Sequence, residues 1–107
     1  MSTLKELRSL GGIVDPKPVQ KDITFRIGED DVTASVYIKR LGVGEYEAIR
    51  ESREDSKSLT ALIIATAVTL GDEGKEKIPY DVAFNMAPSL ANALVLKFHE
   101  VNNPKKS

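Results

Sequence analysis

The residue best suited to acid–base chemistry is the only histidine of the chain, His99. An imidazole changes its charge near neutral pH and also binds metals, so it is the first candidate for a catalytic or metal-binding role. Both roles need further groups that converge on one point, and the chain has no cysteine and no second histidine to supply them. On a helix, His99 lies about 180° around the axis from the apolar Leu90, so we expect it on the surface.

Three acidic clusters, at residues 29–31, 51–55 and 72–73, have the charge to attract a cation. None has the alternating oxygen ligands and the distal glutamate of a calcium loop, and turns or solvated helix faces account for all three. The Gly-Val-Gly at residues 42–44 lacks the third glycine of a dinucleotide-binding loop, and no serine stands in a nucleophile-elbow motif. The sequence therefore predicts no catalytic, metal or cofactor site, and we expect the protein not to be an enzyme.

The composition is that of one small globular domain. Its 107 residues are 41% hydrophobic and 29% charged, and 15 basic residues against 16 acidic ones leave a net charge of −1. This balance creates no global field that would attract nucleic acid or an anionic membrane. Charges at Lys5, Glu6 and Arg8 are unlike a signal peptide, and no stretch approaches the roughly 18 apolar residues of a membrane span. We therefore expect a cytosolic protein with neither nucleic-acid nor membrane partners.

The clearest structural pattern is an alternation of apolar and polar residues on both sides of a turn. Ile23, Phe25 and Ile27 alternate with polar residues, and the alternation resumes over residues 32–38 after a turn at residues 28–31. Period two on either side of a Gly/Asp turn predicts a β-hairpin with one buried face.

Three other segments are less regular. Leucines at three-residue spacing predict a short helix over residues 4–10, and residues 45–55 read as a polar helix. Residues 60–70 form an apolar run rich in β-branched side chains. We interpret this run as a strand buried on both faces, although a buried helix would give a similar run.

Two helices are predicted after Pro79, separated by Pro88 and ended by the Asn-Asn-Pro at residues 102–104. Their inner faces comprise Tyr80, Ala83, Phe84 and Ala87 in the first helix, and Leu90, Leu94, Phe98 and Val101 in the second. The order of elements predicts an α+β fold, in which an N-terminal β-hairpin and a further buried strand pack with the C-terminal helix pair. We expect residues 1–103 to form this single domain and residues 104–107 to be a disordered tail. The predicted core includes Phe25, Val36, Leu94 and Phe98.

Three apolar residues, Val82, Met86 and Leu96, lie outside the inner faces of the last two helices. In a domain this small, apolar side chains beyond a single face indicate contact with another chain. The alternative is that the same domain covers these helices on two sides. We select the three residues as candidates for partner binding and self-association.

Several motifs occur in an order that is found in a known family. The strand VYIKRL at residues 36–41 is followed by a polar helix and then by LIIATAVTLGDEGKEKIPYDVAFNMAPSLANALVLKFHEVNN. That stretch contains an acidic turn at residues 72–74, a Leu/Ala-rich helix start at 88–94 and a closing Glu-Val-Asn at 100–102. The start of the chain, LRSLGGIVDPKPVQKDITFRI, also fits, whereas the family's usual threonine after the turn is replaced around Pro79. The chain thus resembles the tail assembly chaperones of phages with long non-contractile tails.

The resemblance implies a non-enzymatic protein of the host cytoplasm. Such a protein binds the tape-measure protein, recruits tail-tube subunits and is discarded before the tail is complete. Two other classes stay open. A structural tail or connector subunit would be found in purified particles, and a small enzyme with an acidic site would bind a metal tightly.

The family also gives an interpretation of the last residues. Its chaperone gene commonly yields a second, longer product by ribosomal slippage near the end of the shorter one. Lys105 and Lys106 fit the peptide trace of a slippery run, with Ser107 as the last residue of the unshifted product. A charged, solvated terminus is the alternative, and the codons of the two lysines decide between them.

Overall fold

A computed structural model of the protein describes residues 3–15, 17–54 and 57–102. Within these ranges the elements are α1 (Leu4–Ser9), β1 (Val19–Ile27), β2 (Asp30–Ile38), α2 (Val43–Glu54), α3 (Leu59–Ala67), β3 (Val68–Leu70), a 3-10 turn (Asp72–Gly74), β4 (Glu76–Lys77), α4 (Tyr80–Phe84) and α5 (Pro88–Asn102). The α+β fold predicted from the sequence is confirmed. The tail predicted at residues 104–107, with the two lysines of the slippage hypothesis, lies outside the described residues.

The β-hairpin predicted from the alternation is also confirmed. β1 and β2 pair antiparallel along their full length and end at the pair Ile27↔Asp30, so Gly28 and Glu29 form a two-residue loop. Gly28 has a φ of 63°. The tight hairpin turns that match the twist of the strands need such a value at the first central position, where glycine adopts it without steric cost.

The sheet has the order β1-β2-β3-β4, and all neighbouring strands are antiparallel. The strand predicted over residues 60–70 is correct only for Val68–Leu70. The prediction is wrong for the residues before Val68, because these belong to α3. Ser58 caps the start of this helix, since its hydroxyl accepts a hydrogen bond from the Ala61 amide at 3.2 Å.

Helix α3 lies at the centre of the fold, where it packs against α2, α4 and α5. A helix that is covered on several sides needs apolar residues all round, so its sequence lacks the helical period and resembles a buried strand. Its buried residues are Ala61, Leu62, Ile63, Ile64 and Ala67. Tertiary packing therefore overrides the strand preference of the β-branched residues in this segment.

The predicted core residues Val36, Leu94 and Phe98 are all buried. Phe25 is only partly buried against this core, so its prediction as a core residue is wrong. Each strand of the hairpin has nine residues and spans about 30 Å, whereas the 15 residues of α5 span only about 22 Å. The turn end of the hairpin therefore extends beyond the helices, and Ile27 and Val32 are 47% and 38% exposed there.

Asn102 joins the end of α5 to the end of β2. Its side-chain oxygen accepts a hydrogen bond from the Leu41 amide at 2.9 Å, and its amide nitrogen donates to the Lys39 carbonyl at 3.4 Å. The same nitrogen donates to the Phe98 carbonyl one turn back in the helix at 3.0 Å. This bridge links the C-terminal end of α5 to the end of β2, while the buried side chains of Leu94 and Phe98 face the core.

Candidate partner-binding surface

The outer face of α5 carries an exposed leucine. Leu94 and Phe98 point into the core, and Leu96 lies about 200° around the axis from Leu94. Its side chain is 66% exposed, and the neighbouring Asn92 and His99 are exposed with it. The outward position predicted for Leu96 is confirmed, and its role in binding stays a prediction.

Helix α4 presents the second exposed apolar side chain. This helix has five residues, of which Ala83 is buried against the core. Val82 precedes Ala83 by about 100° and is 56% exposed. Met86, the third candidate, lies just after α4 and is partly buried against the core. The structure therefore leaves two of the three candidates, Val82 and Leu96, open to a partner.

Phe84 is an exposed aromatic residue that the sequence pattern assigned to the inner face. That prediction is wrong, since the Phe84 side chain is 61% exposed. The reason is that α4 ends at Phe84, so the longer stripe drawn through Ala87 does not exist as one helical face. The Phe84 ring packs instead on Tyr80, with 5.9 Å between the ring centroids.

Two further contacts fix the position of Tyr80. Its hydroxyl accepts a hydrogen bond from the Ser58 amide at 2.9 Å, which ties α4 to the start of α3. The Lys57 ammonium lies 5.6 Å from the centroid of the Tyr80 ring, within the range of a cation–π contact. These contacts anchor α4. Val82 and Phe84 lie on either side of the buried Ala83, and both side chains are exposed.

His99 is exposed, as predicted, and packs its ring against Phe98 with 5.4 Å between the centroids. It lies at the rim of a cleft of about 320 Å³ between α2, α3 and α5. The cleft is lined by Tyr46, Ile49, Arg50, Leu59, Ile63, Phe98 and His99. These lining residues include no carboxylate that could orient the imidazole as a general base. The cleft could therefore only bind a partner through its shape and its mainly apolar lining.

The charged side chains do not converge on a centre. In the described part of the chain, no three histidine, aspartate or glutamate residues are grouped so that they could hold a metal ion. Ion pairs link Lys39 to Glu45 at 2.7 Å and Lys97 to Glu100 at 3.0 Å. Across residues 3–15, 17–54 and 57–102, no helix is both long and apolar enough to span a bilayer. Exposed apolar side chains lie on α4 and α5, and also at α1 and α2, where Leu10 is 83% and Val43 76% exposed.

Comparison with known proteins identifies a family. No curated protein and no solved structure matches the chain. The model of a protein family described as "Phage tail assembly chaperone, TAC" matches residues 5–102, which extend from α1 to the end of α5. The chain therefore belongs to the phage tail assembly chaperone family, a family of non-enzymatic proteins.

Proposed function

We propose that this chain acts in the host cytoplasm as an assembly chaperone that binds the tape-measure protein and recruits tail-tube subunits. Family membership supports a role in tail assembly, which requires contact with tail proteins. The observation that carries the proposal is the 66% exposure of Leu96 near the middle of the outer face of α5. Val82 and Phe84 on α4 add further exposed apolar area.

The size of this surface fits a weak contact that is repeated many times. Complete burial of one leucine side chain contributes about 1.5–3 kcal/mol, so a few exposed side chains give only a modest affinity for each copy. When many copies bind along one extended helical partner, neighbouring copies can reinforce each other, and the overall binding becomes strong. A contact of modest strength per copy also allows the chaperone to be released as the tail tube forms.

Coexpression with the cognate tape-measure protein tests the proposal directly. We expect the unchanged chain to keep the tape-measure protein soluble and to copurify with it. Leu96→Glu should abolish copurification without unfolding the chain, because the new charge enters the contact and not the core. Ala48→Glu is the control, since it adds the same charge to an exposed position on α2, outside the proposed contact. Equal binding by both variants would contradict a role for Leu96.

Two further measurements separate the chaperone from other classes. Mass spectrometry of purified particles should not detect the chain if it is an assembly factor, whereas a structural tail or connector subunit would be present in every particle. His99→Ala should leave tape-measure binding nearly unchanged, because the proposed contact is made by the apolar side chains of Val82, Phe84 and Leu96 and needs no acid–base group.

A further inference from the structure

The outer edge of β1 is a long strand edge without a partner among the described residues. β1 is the first strand of the sheet, and its nine residues pair with β2 on one side only. The opposite edge of the sheet, β4, has just two residues. Proteins commonly protect an edge strand by shortness, by proline, by a bulge or by charged side chains. β4 is short, and β1 carries the charged residues Lys21, Asp22 and Arg26, but β1 pairs over its full length without a bulge or an internal proline.

The hairpin turn shows which backbone groups point outward. Because the two-residue loop closes at Ile27↔Asp30, that pair is hydrogen-bonded, and odd-numbered residues of β1 direct their backbone groups to β2. The even-numbered residues of β1 direct their N–H and C=O groups away from the sheet. These residues are Gln20, Asp22, Thr24 and Arg26.

Side-chain contacts agree with this assignment. Opposite residues that do not share backbone hydrogen bonds lie closer together, so their side chains meet more easily. Thr24 and Thr33 share a hydrogen bond of 3.2 Å between their hydroxyls, and Ser35 donates to the Asp22 carboxylate at 2.7 Å. Both contacts start from even-numbered residues of β1, on the exposed face of the sheet.

We propose that two copies of this chain associate through antiparallel pairing of their β1 edges about a two-fold axis at Thr24. In this register, Asp22 of each copy lies opposite Arg26 of the other, so two pairs of opposite charge form on the exposed face. Thr24 pairs with itself, and the open backbone groups form about six hydrogen bonds. No ion pair within 4 Å involves either charge in the described chain, so both are available to a second copy.

The apolar face supports the same register. Phe25 of one copy lies opposite Ile23 of the other, which is only 2% exposed, so no charged residue faces the partly buried Phe25 ring in this register. Lys21 lies opposite Ile27, where the aliphatic part of the lysine side chain can cover the exposed isoleucine. The edge is therefore complementary to itself, as a contact between two identical copies requires. A second copy of the chain is therefore the partner whose charges and side chains are complementary to this edge.

Single-cysteine variants test the register, because the chain contains no cysteine of its own. Under mild oxidation, Thr24→Cys should form a covalent dimer, since directly opposite residues in such a pair have Cα atoms about 5.5 Å apart. Thr33→Cys is the matched control. It breaks the same hydroxyl hydrogen bond on the same face, but three strand spacings would separate it from its copy by about 14 Å.

Charge exchange tests the recognition itself by analytical ultracentrifugation of the purified chain. Asp22→Arg should weaken the dimer by about tenfold, because it creates two like-charge pairs between the copies. Arg26→Asp should weaken it at least as much, because it creates the same two pairs and also faces Asp31 within each hairpin. The double variant should recover the affinity. Arg26→Asp keeps the hydrogen bond between Ser35 and Asp22, so its loss of affinity cannot come from that bond.

A dimer that crosslinks equally well through Thr33→Cys would overturn the proposed register. A chain that stays monomeric, or a double variant that does not recover, would overturn the proposed contact. The dimer requires no tail protein and uses β1 in place of the exposed residues of α4 and α5. Its failure would therefore leave the proposed chaperone function untouched, and the reverse also holds.

Discussion

Phe98 is the largest fully buried side chain among the described residues. It is 1% exposed and makes an edge-to-face contact with Tyr46, with 6.4 Å between the ring centroids. Phe98→Ala should lower the free energy of unfolding by about 3–5 kcal/mol, because it empties a packed aromatic site. Phe84→Ala removes the same atoms from a ring that is 61% exposed, so its cost should be about 1 kcal/mol. Denaturant unfolding of both variants measures the difference, and equal losses would contradict the assigned core.

Alanine substitutions at two glycines with positive φ distinguish the cost of backbone strain from the cost of a steric clash. A Cβ at Gly74 would lie 2.6 Å from the Thr69 hydroxyl oxygen and 2.9 Å from the Tyr37 Cβ, and φ there is 71°. Gly28 has a similar φ of 63°, but a Cβ there would meet nothing within 4 Å. We expect Gly28→Ala to cost about 1 kcal/mol from backbone strain alone.

Gly74→Ala should cost clearly more, about 2–4 kcal/mol, because the clash adds to the strain. Thermal unfolding of the two alanine variants compares them directly. If Gly28→Ala were as damaging as Gly74→Ala, the steric clash at Gly74 would add nothing to the cost of backbone strain.

At the scale of elements, the bridge from Asn102 connects the end of α5 to the end of β2. Asn102→Ala removes the acceptor of the Leu41 amide, and Leu41 is 5% exposed. A buried donor without a partner costs about 1–3 kcal/mol, so we expect a loss of that size. Hydrogen exchange at the Leu41 amide should also become faster. Asn92→Ala provides the control, because Asn92 is exposed on the same helix and alanine favours helix formation. Protection of Leu41 that persists in Asn102→Ala would show that another group holds this amide.

For the whole molecule, the nearly neutral charge predicts how salt affects its two proposed contacts. The net charge is −1, and the exposed residues of α4 and α5 offered to the tape-measure protein are apolar. Tape-measure binding should therefore change by less than about threefold when salt is raised to about 1 M, where the screening length is only about 3 Å. The β1 contact includes two charge pairs, so its affinity should fall over the same range. Titration of each contact at low and high salt checks this, and a steep loss of tape-measure binding would indicate electrostatic recognition instead.

The sequence by itself determined the elements that have one buried face and one exposed face. The hairpin, its turn at Gly28 and the outward position of Leu96 all follow from local periodicity, because a strand or helix with one covered side alternates in a regular way. Only the tertiary structure decided features that depend on how many neighbours pack around an element and along how much of its length they pack. α3 lacks a helical period because three other helices surround it, and Phe25 is partly exposed because β1 is longer than α5. Phe84 lies outside because α4 stops after five residues. Contacts between residues far apart in the chain, such as Asn102 with Leu41, leave no periodic signal, because periodicity records only the local environment of each element.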